Sequence, residues 1–284
     1  MEQKVASDNT EIAVRACAYC GRSTDLTNEH VVPESYHRAL GETISIVKTP
    51  TEDKAIPNPQ EIGDVCAACN SGPLSCLDSY LADLTQKYFS TIVHAADRIR
   101  FHYDFDLILR LTLKVTYNVA RTRNWPIEIF QEAREFILGA KSCPSGLRLF
   151  LQLLIPTPVS KTKLPVTPGT MEVPPLPWRA DLYDMSGFPG FAFHCSVSFM
   201  SYRFFIVRED MNIPSAIRKR SVARWLKENK GAYELTGRGD ATVYASSVTV
   251  LDALKGNPTF EGQLSKARKL KAEMKLKKSK TRHR

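Results

Sequence analysis

Two cysteine pairs at the same close spacing constrain this chain more than any other feature: Cys17-Ala-Tyr-Cys20 and Cys66-Ala-Ala-Cys69. Four thiolates brought together suit the tetrahedral, soft-ligand preference of zinc. Four sulfurs leave no open coordination position, so such a metal is structural rather than catalytic. Gly21 directly follows the first pair and supplies the positive φ that a tight knuckle often needs. One C-x-x-C alone could be a redox dithiol, but neither pair lies in a βαβ setting. The 45 residues between Cys20 and Cys66 exceed the ~15–20 of a simple zinc ribbon, so something is inserted between the knuckles. The remaining cysteines, Cys76, Cys143 and Cys195, read as buried apolar residues.

The insert holds Leu26-Thr27-Asn28-Glu29-His30-Val31-Val32-Pro33-Glu34-Ser35, and Asn70 directly follows the second knuckle. Neighbouring side chains on a strand point to opposite faces. Glu29 could then bind a hard cation on one side while the His30 imidazole stands free on the other. A carboxylate and an amide carbonyl are oxygen ligands, suited to Mg²⁺ or Mn²⁺ rather than to zinc. A neutral histidine beside such an ion can act as general base on water. Plainer readings stand next to these. Glu29-His30 could be the polar edge of a strand in an inactive zinc module, and Asn70 could be a helix N-cap. His37 reads as a surface residue and Asp78 as a member of a structural ion pair.

This order of residues resembles the HNH nuclease family, whose pattern is C-x-x-C, an acidic residue or histidine followed by histidine, a proline three residues later, then C-x-x-C-[HN]. The corresponding residues are Cys17, Cys20, Glu29, His30, Pro33, Cys66, Cys69 and Asn70. The resemblance spans roughly residues 14–90. It implies a zinc-stabilised ββα-metal, treble-clef-like module in which Cys17, Cys20, Cys66 and Cys69 hold structural Zn²⁺. It further implies Glu29 and Asn70 as ligands of a catalytic Mg²⁺ or Mn²⁺, and His30 as the base. The implied reaction is hydrolysis of phosphodiester bonds in DNA, leaving a 5′-phosphate and a 3′-hydroxyl. Two positions depart from the pattern. Glu29 stands where many members have Asp, and the stretch Glu61-Ile62-Gly63-Asp64-Val65 lacks the family's central Asn. Glu61 or Asp64 would have to replace the loop-pinning hydrogen bonds of that Asn.

Charge separates along the chain. The total is +9, yet residues 1–78 carry a net −6 and the last 24 residues a net +8. An acidic module followed by a basic body points to a polyanionic partner. Arg218, Lys219, Arg220 and Arg224 on a helix predicted over 215–230, with Lys269, Lys271, Lys277 and Lys278 in the tail, are the expected phosphate contacts. A solvated charged face is the plainer reading of the same residues. No base-reading motif is present, so this basic character promises affinity rather than specificity.

Apolar periodicity completes the outline. Leu74, Leu77, Leu81, Leu84 and Tyr88 mark a helix after Asn70. Further helices are predicted near 105–123 and over 127–140. Seven prolines between Pro156 and Pro177 indicate an extended stretch. Alternation from Phe191 to Phe199 marks a strand with His194 on its polar face, solvent-facing or hydrogen-bonded rather than catalytic, and Tyr202–Val207, Leu147–Ile155 and Ala241–Val250 also read as strands. The expected fold class is α+β: the N-terminal module (12–90), then a helical and antiparallel β-rich region (91–260), then a basic tail (261–284). The polar first 11 residues lack the apolar stretch of a secretory leader, and no apolar run reaches the ~18 residues of a membrane span. The expectation is a cytoplasmic DNA endonuclease with no membrane association and with a protein partner or homodimer in reserve. The rival is a zinc-stabilised nucleic-acid-binding protein without catalysis.

Overall fold

Glu29 and His30 lie on the first strand of the chain, and the elements that hold that strand define the architecture. The computed structural model describes residues 15–23, 25–41, 47–49, 52–56, 60–161 and 171–254. Strand β1 (Leu26–His30) turns at Pro33 into the short helix α1 (Glu34–Ala39). A small antiparallel pair, β2 (Val47–Thr49) and β3 (Glu52–Ile56), precedes β4 (Glu61–Cys66), which returns antiparallel to β1. A helical run follows at once: α2 (Ala67–Cys69), a wide turn at Asn70–Leu74, α3 (Ser75–Leu84) and a second wide turn at Thr85–Phe89. Pro73 therefore lies inside a helical run rather than in its first turn. The chain accommodates it with a kink at Gly72, whose φ and ψ of −100° and −108° are not helical.

Strand β5 (Arg98–His102) leads into α4 (Phe105–Arg123) and α5 (Glu128–Ile137). Helix α4 starts where Asp104 accepts a hydrogen bond from the Leu107 amide at 2.9 Å and stops at Asn124, which adopts φ 53°. Then come β6 (Leu147–Leu153), the short β7 (Thr157–Pro158) and β8 (Glu172–Val173), β9 (Trp178–Leu182), β10 (Phe191–Phe199) and β11 (Tyr202–Glu209). Helix α6 (Ser215–Glu228), β12 (Tyr233–Leu235), β13 (Asp240–Tyr244) and α7 (Val250–Leu254) close the described chain. The main sheet is antiparallel in the order β12-β6-β11-β10-β9, and β13 pairs with β5. The fold is thus mixed α+β with antiparallel sheets, and no helix among the described residues is long and apolar enough to cross a membrane.

The apolar core is continuous from the hairpin to the sheet. It includes Val31 and Val65, Leu77 and Leu81, the buried face of α4, and Leu151, Val197 and Phe204. A smaller cluster lies on the opposite face of the sheet, where Val222 and Trp225 of α6 pack on Phe150, Phe205 and Val207. The sheet is therefore covered on both sides, which alternation alone did not reveal. His194 is buried by this second layer instead of facing solvent. Its Nε2 accepts from the Trp225 indole at 3.2 Å, and its ring stacks on Tyr183 with centroids 4.5 Å apart.

Three other expectations change. Cys76 is exposed rather than buried. The strand expected over 241–250 ends at Tyr244, and a short helix begins at Val250. The helix expected over 127–140 is the shorter Glu128–Ile137. The tail residues Lys269, Lys271, Lys277 and Lys278 lie outside the described residues.

Burial, reinforced by Arg203, lowers the His194 pKa from 6.5 to about 3. The folded state then binds fewer protons than the unfolded chain between those values, so stability falls on acidification from pH 6.5 toward 3. The slope approaches about 1.4 kcal/mol per pH unit well below 6.5. Chemical denaturation at pH 6.5 and 4.5 should show a smaller loss in His194→Gln than in the parent. An equal loss in both would remove His194 as the cause.

A candidate active site beside a four-cysteine cluster

The two knuckles converge. The Sγ atoms of Cys17, Cys20, Cys66 and Cys69 all lie within 4.8 Å of one another, and Cys20 and Cys66 are 3.6 Å apart. Sulfurs at ~2.3 Å from one tetrahedral ion would be separated by about 3.8 Å, so this cluster could hold a metal such as zinc. Gly21, at φ 76°, closes the first knuckle by donating its amide to the Cys17 carbonyl at 2.8 Å. Burial opposes ionisation of the Cys20 thiol. Hydrogen bonds from Arg22, Cys66 and Cys17 outweigh it and bring the pKa down to about 6. Burial pushes the Cys69 thiol up, aided by hydrogen bonds with Cys66 and Cys20. One thiol of the set is therefore ready to ionise, and a bound cation would favour ionisation of the rest.

The hairpin beside the cluster places Glu29 and His30 on opposite faces. His30 stands half-exposed opposite Glu61, its partner across the strands, with Nε2 3.3 Å from Oε1. The other oxygen of Glu61 accepts from Asn28 Nδ2 at 2.8 Å. Glu61 thus hydrogen-bonds one β1 side chain and stands against the imidazole of another. Asp64 serves elsewhere, as the ion-pair partner of Arg121. The His30 carbonyl accepts from Asn118 Nδ2 at 3.1 Å, so helix α4 also holds the backbone of this residue.

Asn70 is not a helix N-cap. The helical run starts earlier, with Cys66 in the N-cap position, and Asn70 lies within it. Its Nδ2 instead reaches back to β1, donating to Thr27 Oγ1 at 3.0 Å and to the Asn28 carbonyl at 2.9 Å. Both amide protons are thereby committed, which leaves Oδ1 as the atom able to accept a hydrogen bond or coordinate a cation.

Glu29 turns inward and is only 2% exposed. Lys114 Nζ of α4 lies 2.7 Å from its Oε1, a buried ion pair. The same ammonium donates to Asp78. Burial raises the Glu29 pKa, with the Lys114 charge acting against the shift. Glu29 and Asn70 offer oxygen donors of the kind a hard cation takes. The competing feature is the ammonium already lodged at Glu29.

Sequence reasoning located His30, Glu29 and Asn70, and it named Glu61 as a candidate pin. It missed Lys114 and Asn118. The available signal was Lys114, Asn118 and Arg121, charged or amide residues recurring at helical spacing among the apolar positions of the helix. Of the basic helix positions, Lys219, Arg220 and Arg224 are exposed, whereas Arg218 is tied to Glu209 at 2.9 Å. Comparison with family models, curated proteins and solved structures finds no match to this chain.

Metal analysis of the purified protein should find one tightly held zinc ion per chain. Cys20→Ser should lose that zinc and lower the melting temperature by several degrees, on the order of the ~4 °C per kcal/mol seen in mid-sized domains. Full zinc content in the variant would show that Cys20 is not a ligand.

Proposed function

We propose that the protein is a metal-dependent DNA endonuclease of the HNH type, with His30 as the base that activates water. The observation that carries this reading is the His30–Glu61 pair on the open face of a hairpin whose neighbouring helical run supplies Asn70. A neutral imidazole that carries its proton on Nε2, the atom beside Glu61, keeps the Nδ1 lone pair for a water molecule. Glu61 acts as the orienting carboxylate, as carboxylates beside catalytic histidines commonly do. Glu29 and Asn70 Oδ1 would hold the divalent ion. When bound there, such an ion supplies Lewis-acid stabilisation of the charge that develops on phosphate oxygens. Asn70 contributes a fixed oxygen, and the two hydrogen bonds from its Nδ2 keep that oxygen from rotating away. Lys219, Arg220 and Arg224 on α6, together with the basic tail, would hold the DNA backbone through salt-sensitive contacts.

One observation favours the rival reading of a non-catalytic nucleic-acid-binding protein: the Lys114 ammonium at Glu29. Nicking of supercoiled plasmid with Mg²⁺ or Mn²⁺, set against a chelator control, separates the two readings. His30→Ala should lose on the order of 10²–10⁴-fold in rate, the usual worth of a general base. Glu61→Gln should lose on the order of tenfold and alter the pH–rate profile, since its role is to orient the imidazole. Zinc content should stay full in both. Nicking by His30→Ala at the parental rate would remove His30 as base, and no nicking by the parent under any condition would favour the binding protein.

Deleting residues 261–284 removes a net charge of +8. Binding to short duplex DNA should weaken most at low salt, with a shallower dependence of affinity on salt concentration. Unchanged binding at ~50 mM salt would show that the tail is not a phosphate anchor.

A further inference from the structure

The Glu29–Lys114–Asp78 cluster contains more anionic than cationic groups and sits directly behind the candidate site. Lys114 is fully buried, the Glu29 side chain is 3% exposed, and the Asp78 side chain is 30% exposed. A buried ammonium needs opposing charge, and one carboxylate with a good hydrogen bond can supply it. Lys114 has two, and they are not equivalent. It donates to the partly exposed Asp78 and lies 2.7 Å from Oε1 of the buried Glu29. Leaving Glu29 would therefore cost Lys114 one of its two ionic contacts while the hydrogen bond to Asp78 remained. A divalent ion on Glu29 Oε1 and an ammonium within 2.7 Å of the same oxygen cannot coexist, because like charges so close in a dry interior repel strongly.

We propose that Lys114 is a latch on the divalent-ion site: its ammonium holds the cation position at Glu29 and withdraws to Asp78 when an ion enters. The proposal rests on the nuclease reading for the assignment of Glu29 as a ligand. Asp78 is then a parking position that keeps the displaced ammonium neutralised, and ion binding becomes conditional on that exchange. The latch makes the site weak for free ions, so that additional oxygen ligands, such as the phosphates of bound DNA, would favour loading.

Mn²⁺ binding to the full-length, zinc-loaded protein without DNA tests this, with free Mn²⁺ followed by electron paramagnetic resonance. Lys114→Met should bind Mn²⁺ at least about tenfold more tightly than the parent, or about 1.4 kcal/mol. Adding Glu29→Gln to that variant should remove the gain. Asp78→Asn takes away the parking position and should weaken Mn²⁺ binding on the order of fivefold. A folded, zinc-replete Lys114→Met that binds Mn²⁺ no tighter than the parent overturns the latch, as does a gain that survives Glu29→Gln. If Lys114→Met fails to fold, Asp78→Asn decides: affinity equal to or above the parent's overturns the proposal. Tightened Mn²⁺ binding with no DNA cleavage would count against the nuclease reading alone. Metal-dependent nicking with Mn²⁺ affinity unmoved by Lys114→Met would count against the latch alone.

Discussion

The amino-terminal site depends on the polar face of helix α4. Lys114, Tyr117, Asn118 and Arg121 recur at three- and four-residue steps and so share one side of the helix. Each holds a different part of the cysteine-knuckle region. Lys114 meets Glu29 and Asp78, Tyr117 donates to the Ala18 carbonyl at 3.0 Å, Asn118 bridges Tyr19 and the His30 carbonyl, and Arg121 pairs with Asp64. The apolar residues of the same helix, among them Ile108, Leu111, Val115 and Val119, join the core that continues into the sheet. One helix therefore fixes the hairpin relative to the rest of the molecule.

The two faces of α4 serve different physical ends. Apolar burial supplies most of the free energy of folding, while buried ion pairs return little net stability after desolvation. Their effect is geometric: a buried charge left unpaired is costly, so the hairpin tolerates few positions other than the one that pairs all of them. Arg121 illustrates the point. Its guanidinium lies over the rings of Tyr19 and Tyr117, at 5.3 and 4.7 Å, while it pairs with Asp64. A shift of β4 by one residue would break the ion pair and turn Asp64 to the other face. The orientation of His30 is thus held from two sides, by Glu61 at its imidazole and by Asn118 at its backbone.

Much of the site was legible because its parts are local. The C-x-x-C spacing, Gly21 after the first knuckle, and the alternation that sends Glu29 inward and His30 outward all depend on neighbours a few residues apart. Glu61 was legible as a candidate because it stands in the stretch where a loop-pinning residue was needed. His194 could be read only as solvent-facing or hydrogen-bonded, because alternation reports two faces of a strand but not what covers them; it is the second. Trp225 and Val222 of α6 cover the second face, and they lie about thirty residues downstream. The basic helix was read as uniformly available for the same reason, yet Arg218 is occupied by Glu209 of β11.

By itself, the sequence determined that four cysteines would form two knuckles, that a Glu-His strand would lie between them, and that helices and an antiparallel β-rich region would follow. These features arise from residue chemistry and short-range periodicity, which operate wherever the chain goes. Only the tertiary structure decided that the ammonium of Lys114 would meet Glu29, that Asn118 would hold His30, and that both faces of the sheet would be buried. The first two join residues 85 and 88 positions apart, the third joins elements farther apart than any local period, and no local spacing encodes them. They follow from packing: once α4 is sunk in the core, its few polar side chains must find partners, and the hairpin carries the groups that satisfy them.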